Sequence, residues 1–326
     1  MLATAPAVSP PPALVPQRGA IVDADVAIGT PALRGAVSGL LDRAGSTVHL
    51  DAFRISDSGM VDALMALPGR RVAVDVLADT DASVGPQADR LRAMAGWHDY
   101  GVPPRKQHGK SITRDGGAEA LVATDVADAE AARRIELGVR FDGPAAAALA
   151  EVHAQSKASS PQRLRDALEA AAAVGVAIND PRVGARHASD ALIALLQAAP
   201  PTGPVRIVTK AFDSGSMASL IAGLAAPGRE VDLLTHEIPD RQRRQLEEAG
   251  VEVRVVGERR ALRAARGLHG TVATAGDSAY IGSLYLVDRV LDGSSVRQSR
   301  EAGVVLAGPA AAQARDAVAA IHAAQG

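Results

Sequence analysis

Short apolar runs, several of them alternating with period two, recur along this chain, and between them the apolar positions widen to helical spacing. STVHLDAF (46–53), RVAVDVLAD (71–79) and the segments 104–114, 119–124 and 135–141 read as strands, with helices expected over 59–67, 86–95 and 144–153. Thr30-Pro31 marks a further helix start before ALRGAVSGLLDRAG, because a hydroxyl cap followed by proline suits the first turn. Asp115-Gly116-Gly117 punctuates two strands as a turn. Strands alternating with helices predict an α/β chain.

The pattern then repeats. PVRIVTKAF (204–212) answers STVHLDAF, with Ala211-Phe212 set against Ala52-Phe53, and Pro227-Gly228-Arg229 answers Pro68-Gly69-Arg70. EVDLLTHE (230–237) answers the strand at 71–79, and REAGVVLAGPAAA (300–312) answers IELGVRFDGPAAA (135–147), which aligns Glu301 with Glu136. Blocks matched in the same order point to an internal duplication. The expected organisation is a flexible N-terminal arm (1–19), a first half (20–155), a linking helix (156–175) that opens at Ser160-Pro161 and stops at Gly175, and a second half (176–326) ending in a helix over 309–324.

Candidate chemistry sits at His108-x-Lys110-x4-Asp115. On a strand, alternation would aim the imidazole and the ammonium at one point. Such a pair suits attack on a phosphate, the ring acting as nucleophile or acid and the ammonium neutralising anionic oxygens. In the second half His269 returns, but Thr271 stands at the lysine position and the aspartate position falls on Ala275 or Gly276. Gly282-Ser283 follows His269, with Tyr285 two residues on, whereas Val122-Ala123-Thr124-Asp125 follows the first motif.

These residues resemble the phospholipase D superfamily, whose members carry two His-x-Lys-x4-Asp motifs, each followed by Gly-Ser-x-Asn and later by an acidic residue. The resemblance runs from about Ala20 onward and implies two pseudo-twofold-related α/β/α halves whose sheets pack around a shared central site. By that resemblance His108, His269, Lys110, Asp115, Glu136 and Glu301 are the catalytic set. One histidine would form a covalent phosphohistidine while the other protonates the leaving oxygen, and Glu136 and Glu301 would hold the far ring nitrogens. Lys110, Ser283, Thr271 and Thr124 would bind the phosphate. The Gly-Ser of the first half reads as missing, Tyr285 replaces an asparagine, and the second motif lacks its lysine and aspartate. Arg105, Lys106, Arg263 and Arg266 are candidate replacement cations, with solvated loop charge as the other reading.

The implied activity is a metal-independent phosphodiesterase or transferase acting on a small phosphorylated substrate. One alternative is a catalytically inactive anion-binding or scaffold protein, favoured by the losses in the second motif, and a lesser one is a nuclease. A net charge of −2 with interspersed signs argues against extensive nucleic-acid contact, although Arg114, Arg259 and Arg260 could join the other cations in a local groove. With 326 residues and 47% hydrophobic content the chain can bury a large core, and without cysteine it has no disulfide or thiolate chemistry. MLATAPAVSPPPALVPQRG lacks a basic leader and no apolar run reaches membrane-spanning length, so no membrane insertion and a cytoplasmic location are expected. No cofactor is implied, no metal-ligand spacing stands out among eight histidines, and a single chain suffices for the site. His49, His153, His187 and His236 read as structural or surface residues, and Trp97-His98-Asp99-Tyr100 as either a pocket-mouth loop or a hydrophobic plug.

Overall fold

The computed structural model describes residues 19–94, 96–100, 106–129, 134–158, 160–225, 228–256, 269–291 and 299–324. The arm before residue 19, and Arg105, Arg259, Arg260, Arg263 and Arg266, lie outside the described residues. The first half runs β1 (Ala24–Ile28), α1 (Thr30–Arg43), β2 (Thr47–Ala52), α2 (Ser58–Ala66), β3 (Ala73–Ala78), α3 (Pro86–Arg92) and β4 (Trp97–Asp99). It continues through β5 (Lys106–Gln107), β6 (Ser111–Arg114), β7 (Glu119–Ala123), β8 (Leu137–Phe141) and α4 (Gly143–Lys157). After α5 (Pro161–Ala172), capped by the Ser160 hydroxyl, come β9 (Val176–Asp180), β10 (Ala185–Arg186), α6 (His187–Gln197), β11 (Val205–Asp213), α7 (Gly215–Leu224), β12 (Val231–Glu237), α8 (Asp240–Glu248) and β13 (Glu252–Val255). The chain ends with β14 (Thr271–Ala275), β15 (Ser278–Gly282), β16 (Leu286–Val287), α9 (Asp288–Leu291), β17 (Ser299–Ala307) and α10 (Gly308–Ala324).

Sheet order makes the duplication explicit. One sheet reads β1-β8-β7-β6-β2-β3-β4, and the other carries the matching run β9-β17-β15-β14-β11-β12-β13, extended by β10 at the β9 edge. In both, the βαβ crossovers leave β2-β3-β4 and β11-β12-β13 parallel, while the hairpin strands pair antiparallel. Each half has its own core between helices and one face of its sheet, around Leu40, Leu50 and Val76 in the first and Leu196, Ile207 and Leu233 in the second. A third cluster belongs to both halves, since Val122 and Val139 pack with Ile281 and Val304 and with α4, α5 and α10 through Leu149, Leu168 and Val318. Burying those opposite faces against each other removes apolar area that neither half could cover alone.

Two strand pairings stitch the seam. β5 of the first half pairs in parallel with β17 of the second, and Ile21 bridges to Leu306. The strand expected over 104–114 is therefore broken: β5 belongs with the second sheet and β6 with the first, and residues 108–110 cross between them. The histidine motif lies on that crossing, so its two side chains are placed by the seam rather than by strand alternation.

Candidate functional site

His108 and His269 meet across the seam with ring centroids 5.6 Å apart, and both are nearly buried. His108 reaches into the second half: its backbone N–H donates to the Arg300 carbonyl at 2.9 Å, and its Nδ1 lies 2.9 Å from Oε2 of Glu301. Ser283 donates to the same carboxylate oxygen at 2.6 Å. His269 reaches the other way, with Nδ1 3.3 Å from the Thr124 carbonyl and 3.5 Å from Oδ2 of Asp125. Glu136, expected on this ring, instead accepts the Thr124 hydroxyl at 2.5 Å and keeps Oε1 buried without a partner.

Strand register corrects two alignments. Ala123 pairs with Gly138 as Gly282 pairs with Gly303, so Thr124, one residue after Ala123, is the counterpart of Ser283. The hydroxyl that seemed missing from the first half is present, shifted by one residue, and it does the same job of donating to a glutamate. Neither hydroxyl is free to face a phosphate in the way the resemblance implied. Thr271 is likewise committed, donating to the Leu284 carbonyl at 2.5 Å and sharing a 2.8 Å bond with Thr209. The second correction concerns β2 and β11. Asp51 pairs with Ser111 and Val208 with Val272, which makes Lys210 the counterpart of Phe53 rather than of Asp51.

Asp115 is not in the site. It sits in the turn after β6 at φ 50°, where its carboxylate accepts the backbone N–H groups of Gly45, Ser46 and Thr47 and the Ser46 hydroxyl at 2.6–3.1 Å. Burial opposes its charge, but those donors hold the carboxyl well below its usual range. Its part is to pin the loop between α1 and β2, a full strand length from Lys110.

Around the histidines, cations and carboxyl groups are buried together. Lys110 is buried with no hydrogen-bond partner for its ammonium; burial lowers its pKa to about 8, with Asp125, Glu301 and Glu136 pulling the other way. Burial, and then the charges of Lys110, Lys210 and Lys106, hold His108 well below the ordinary imidazole range. For His269 burial leads again, followed by Lys110, His108, Lys210 and Arg134. Burial pushes Glu301 up to about 8, against the pull of Lys110 and Ser283. Burial and then the neighbouring Asp125 push Glu136 up to about 9. Asp125, Glu136 and His269 converge closely enough to share a cation, but Lys110 already supplies positive charge there. Tyr285 packs beside both histidines, its ring 4.9 Å from His108 and 5.7 Å from His269.

Among solved structures, the chain is similar to a polyphosphate kinase from Porphyromonas gingivalis (15% identity, TM-score 0.59), covering 92% of this chain and 50% of that one. A phosphatidylserine synthase from Haemophilus influenzae Rd KW20 matches with 12% identity and a TM-score of 0.60, covering 88% and 83% of the two chains. A yeast tyrosyl-DNA phosphodiesterase matches with 10% identity and a TM-score of 0.56, covering 87% and 90%. The chain has the phospholipase D fold. It spans about half the length of the kinase it matches. No protein-family model matches the sequence, and no curated protein sequence does.

Behind the histidine pair, this phospholipase D fold holds a second buried polar group that sequence spacing did not reveal. Arg300 is fully buried and bridges the halves, donating to Asp180 at 2.8 Å, to Asp51 at 3.1 Å and to the Ser156 hydroxyl at 2.7 Å. Asp51 also faces His49 (3.2 Å) and His153 (3.5 Å), whose rings stack at 4.1 Å, and Tyr100 donates to Asp180 at 3.0 Å. Tyr100 is thus part of the core, while Trp97 and His98 lie on the edge strand β4. Burial would raise Asp51, but His153, Arg300 and His49 hold it below its usual range. His49, Asp51 and His153 have the donor types of a metal site. Arg300 occupies the carboxylate, however, and the Ser111 and Thr113 hydroxyls occupy both nitrogens of His153. Among the described residues no helix is long and apolar enough to cross a membrane.

Proposed function

We propose that the chain is a phospholipase D-like phosphodiesterase or transferase that acts on a small phosphorylated substrate through a covalent phosphohistidine, with His108 as nucleophile and His269 as general acid. The observation that carries this reading is the histidine pair itself. Two imidazoles contributed by different halves lie 5.6 Å between centroids, beside a buried Lys110 ammonium that has no partner. A buried donor left unsatisfied is costly, and an anionic phosphate oxygen would satisfy it.

In its ionised form, which the Lys110 charge favours, Glu301 accepts the Nδ1 proton of neutral His108 and leaves the Nε2 lone pair for phosphorus. An N–P bond forms there as the P–O bond to the leaving group breaks, and the leaving oxygen takes a proton from His269. Water, or an acceptor hydroxyl or amine, then passes a proton to His269 and attacks phosphorus. The P–N bond breaks and His108 returns neutral. His269 can hold its proton only when the surrounding cations are offset. The substrate phosphate supplies that negative charge, so anion binding and protonation of His269 are linked.

A binding protein that retains the anion pocket without turnover is the second reading, favoured by Thr271, whose hydroxyl is tied into the fold at the position of the lost lysine. Release of nitrophenolate from aryl phosphodiesters under metal-free conditions separates the two. The catalytic reading expects steady-state turnover by the wild type that is lost in both His108→Ala and His269→Ala. Phosphate binding by a wild type that never turns over an ester would favour the binding protein.

A further inference from the structure

We infer that Lys210 is the second phosphate-binding cation of this site, supplied from the neighbouring strand β11 in place of the lysine that Thr271 displaced; the inference rests on the phosphodiester reading above. Thr271 cannot perform that task, because its hydroxyl is bound on both sides by Thr209 and the Leu284 carbonyl. Lys210 lies next to the second histidine through its backbone, its N–H donating to the Gly270 carbonyl at 3.1 Å. By strand register it is the counterpart of Phe53, whose ring lies 5.1 Å from His108. The position that carries a ring beside the first histidine therefore carries a cation in the second half.

Its ammonium lies 5.5 Å from the centroid of the Tyr285 ring, the ring that packs beside both histidines. Among the described residues no carboxylate pairs with it. Its charge bears on His108, His269 and Lys110, and also on His236 in the wall of the neighbouring cavity. The next two residues, Ala211 and Phe212, line a cavity of about 580 Å³ at the carboxyl ends of β11 and β12. Asp213, Glu237 and Asp288 also line that cavity, while Lys210 itself precedes it in the strand and is held by its backbone at Gly270, beside His269. Half-buried and attached by a flexible stem, it can reach a phosphate oxygen as a second cation alongside the fixed, buried Lys110.

The test compares wild type, Lys210→Met and Lys210→Arg in calorimetric binding of inorganic phosphate and in turnover of bis(p-nitrophenyl) phosphate, with thermal unfolding as a control. Removing one charge-assisted bond should weaken phosphate binding and raise KM by about tenfold or more in Lys210→Met, with the unfolding midpoint unchanged. Lys210→Arg, which keeps the charge, should remain within about threefold of wild type. Phosphate binding in Lys210→Met equal to that of an active wild type overturns the role of Lys210 alone. A wild type that neither binds phosphate nor turns over the ester overturns this inference together with the reading it rests on.

Discussion

His108 gives its Nδ1 to a glutamate of the opposite half, whereas His269 gives its own to a backbone carbonyl, with Asp125 slightly farther off. Both rings reach across the same seam, and Thr124 and Ser283 play matching parts on the two sides. The difference lies in what each ring can do with a proton. In the proposed mechanism Glu301, in its ionised form, stabilises the positive charge that would build on His108 as it attacks phosphorus. A carbonyl behind His269 fixes the tautomer but offers less to an imidazolium, so that ring gives up a proton readily once it has one. Similar scaffolding with unequal anchors would let one duplicated fold divide nucleophile from acid in the proposed mechanism.

That division can be broken experimentally. The largest effect is expected at the histidines: His108→Ala should abolish nitrophenolate release altogether, whereas His269→Ala should release one equivalent in a burst and then stall, because nitrophenolate needs no proton to leave. An acid-labile phosphorylated protein detected by mass spectrometry in His269→Ala, and absent from His108→Ala, would fix the roles; the reverse pattern would exchange them. Glu301→Gln should lower kcat by about 10²-fold or more, as expected when the group orienting a catalytic imidazole is lost, and Glu136→Gln by clearly less. Equal losses would mean that Glu136 reaches the His269 ring during turnover.

Arg300 tests the seam rather than the rings. Arg300→Met leaves Asp51 and Asp180 buried without their shared cation, and a destabilisation of about 3–5 kcal/mol in urea unfolding is expected. Lys110 sets the alkaline limit. With its pKa lowered to about 8, its positive charge is present below that pH and lost above it. KM should therefore rise as pH passes 8, and Lys110→Arg, if it still turns over, should carry that limb to higher pH. The smallest effect belongs to Asp115→Ala, which should reduce stability by about 1–2 kcal/mol, allowing for partial exposure, and leave kcat near that of wild type.

The duplication, much of the alternation of strands and helices along each half and the two histidines were legible in the sequence because hydrophobic periodicity and a repeated block order survive drift. Other features were hidden for separate physical reasons. Thr124 was set one residue out of register because Ala-Thr does not look like Gly-Ser, although a threonine hydroxyl donates just as well. Asp115 shares a motif with His108 and Lys110, yet the whole of β6 separates it from them, and equal spacing concealed a different job. Lys210 comes from an adjacent strand about sixty residues before its histidine, where no spacing rule looks for it. The cluster of His49, Asp51, Tyr100, His153, Asp180 and Arg300 is spread over five segments and becomes one object only when the sheets close on each other.

The parallel pairing of β5 with β17 restricts how this molecule can move. Because the strand that leads into His108 is hydrogen-bonded into the opposite sheet, and the Arg300 carbonyl holds the His108 amide, the two lobes cannot swing apart like a clam without tearing His108 from its place. Under the proposed function, substrate would then enter and leave past side chains at the rim, and a chemical cross-link between the lobes should leave turnover intact.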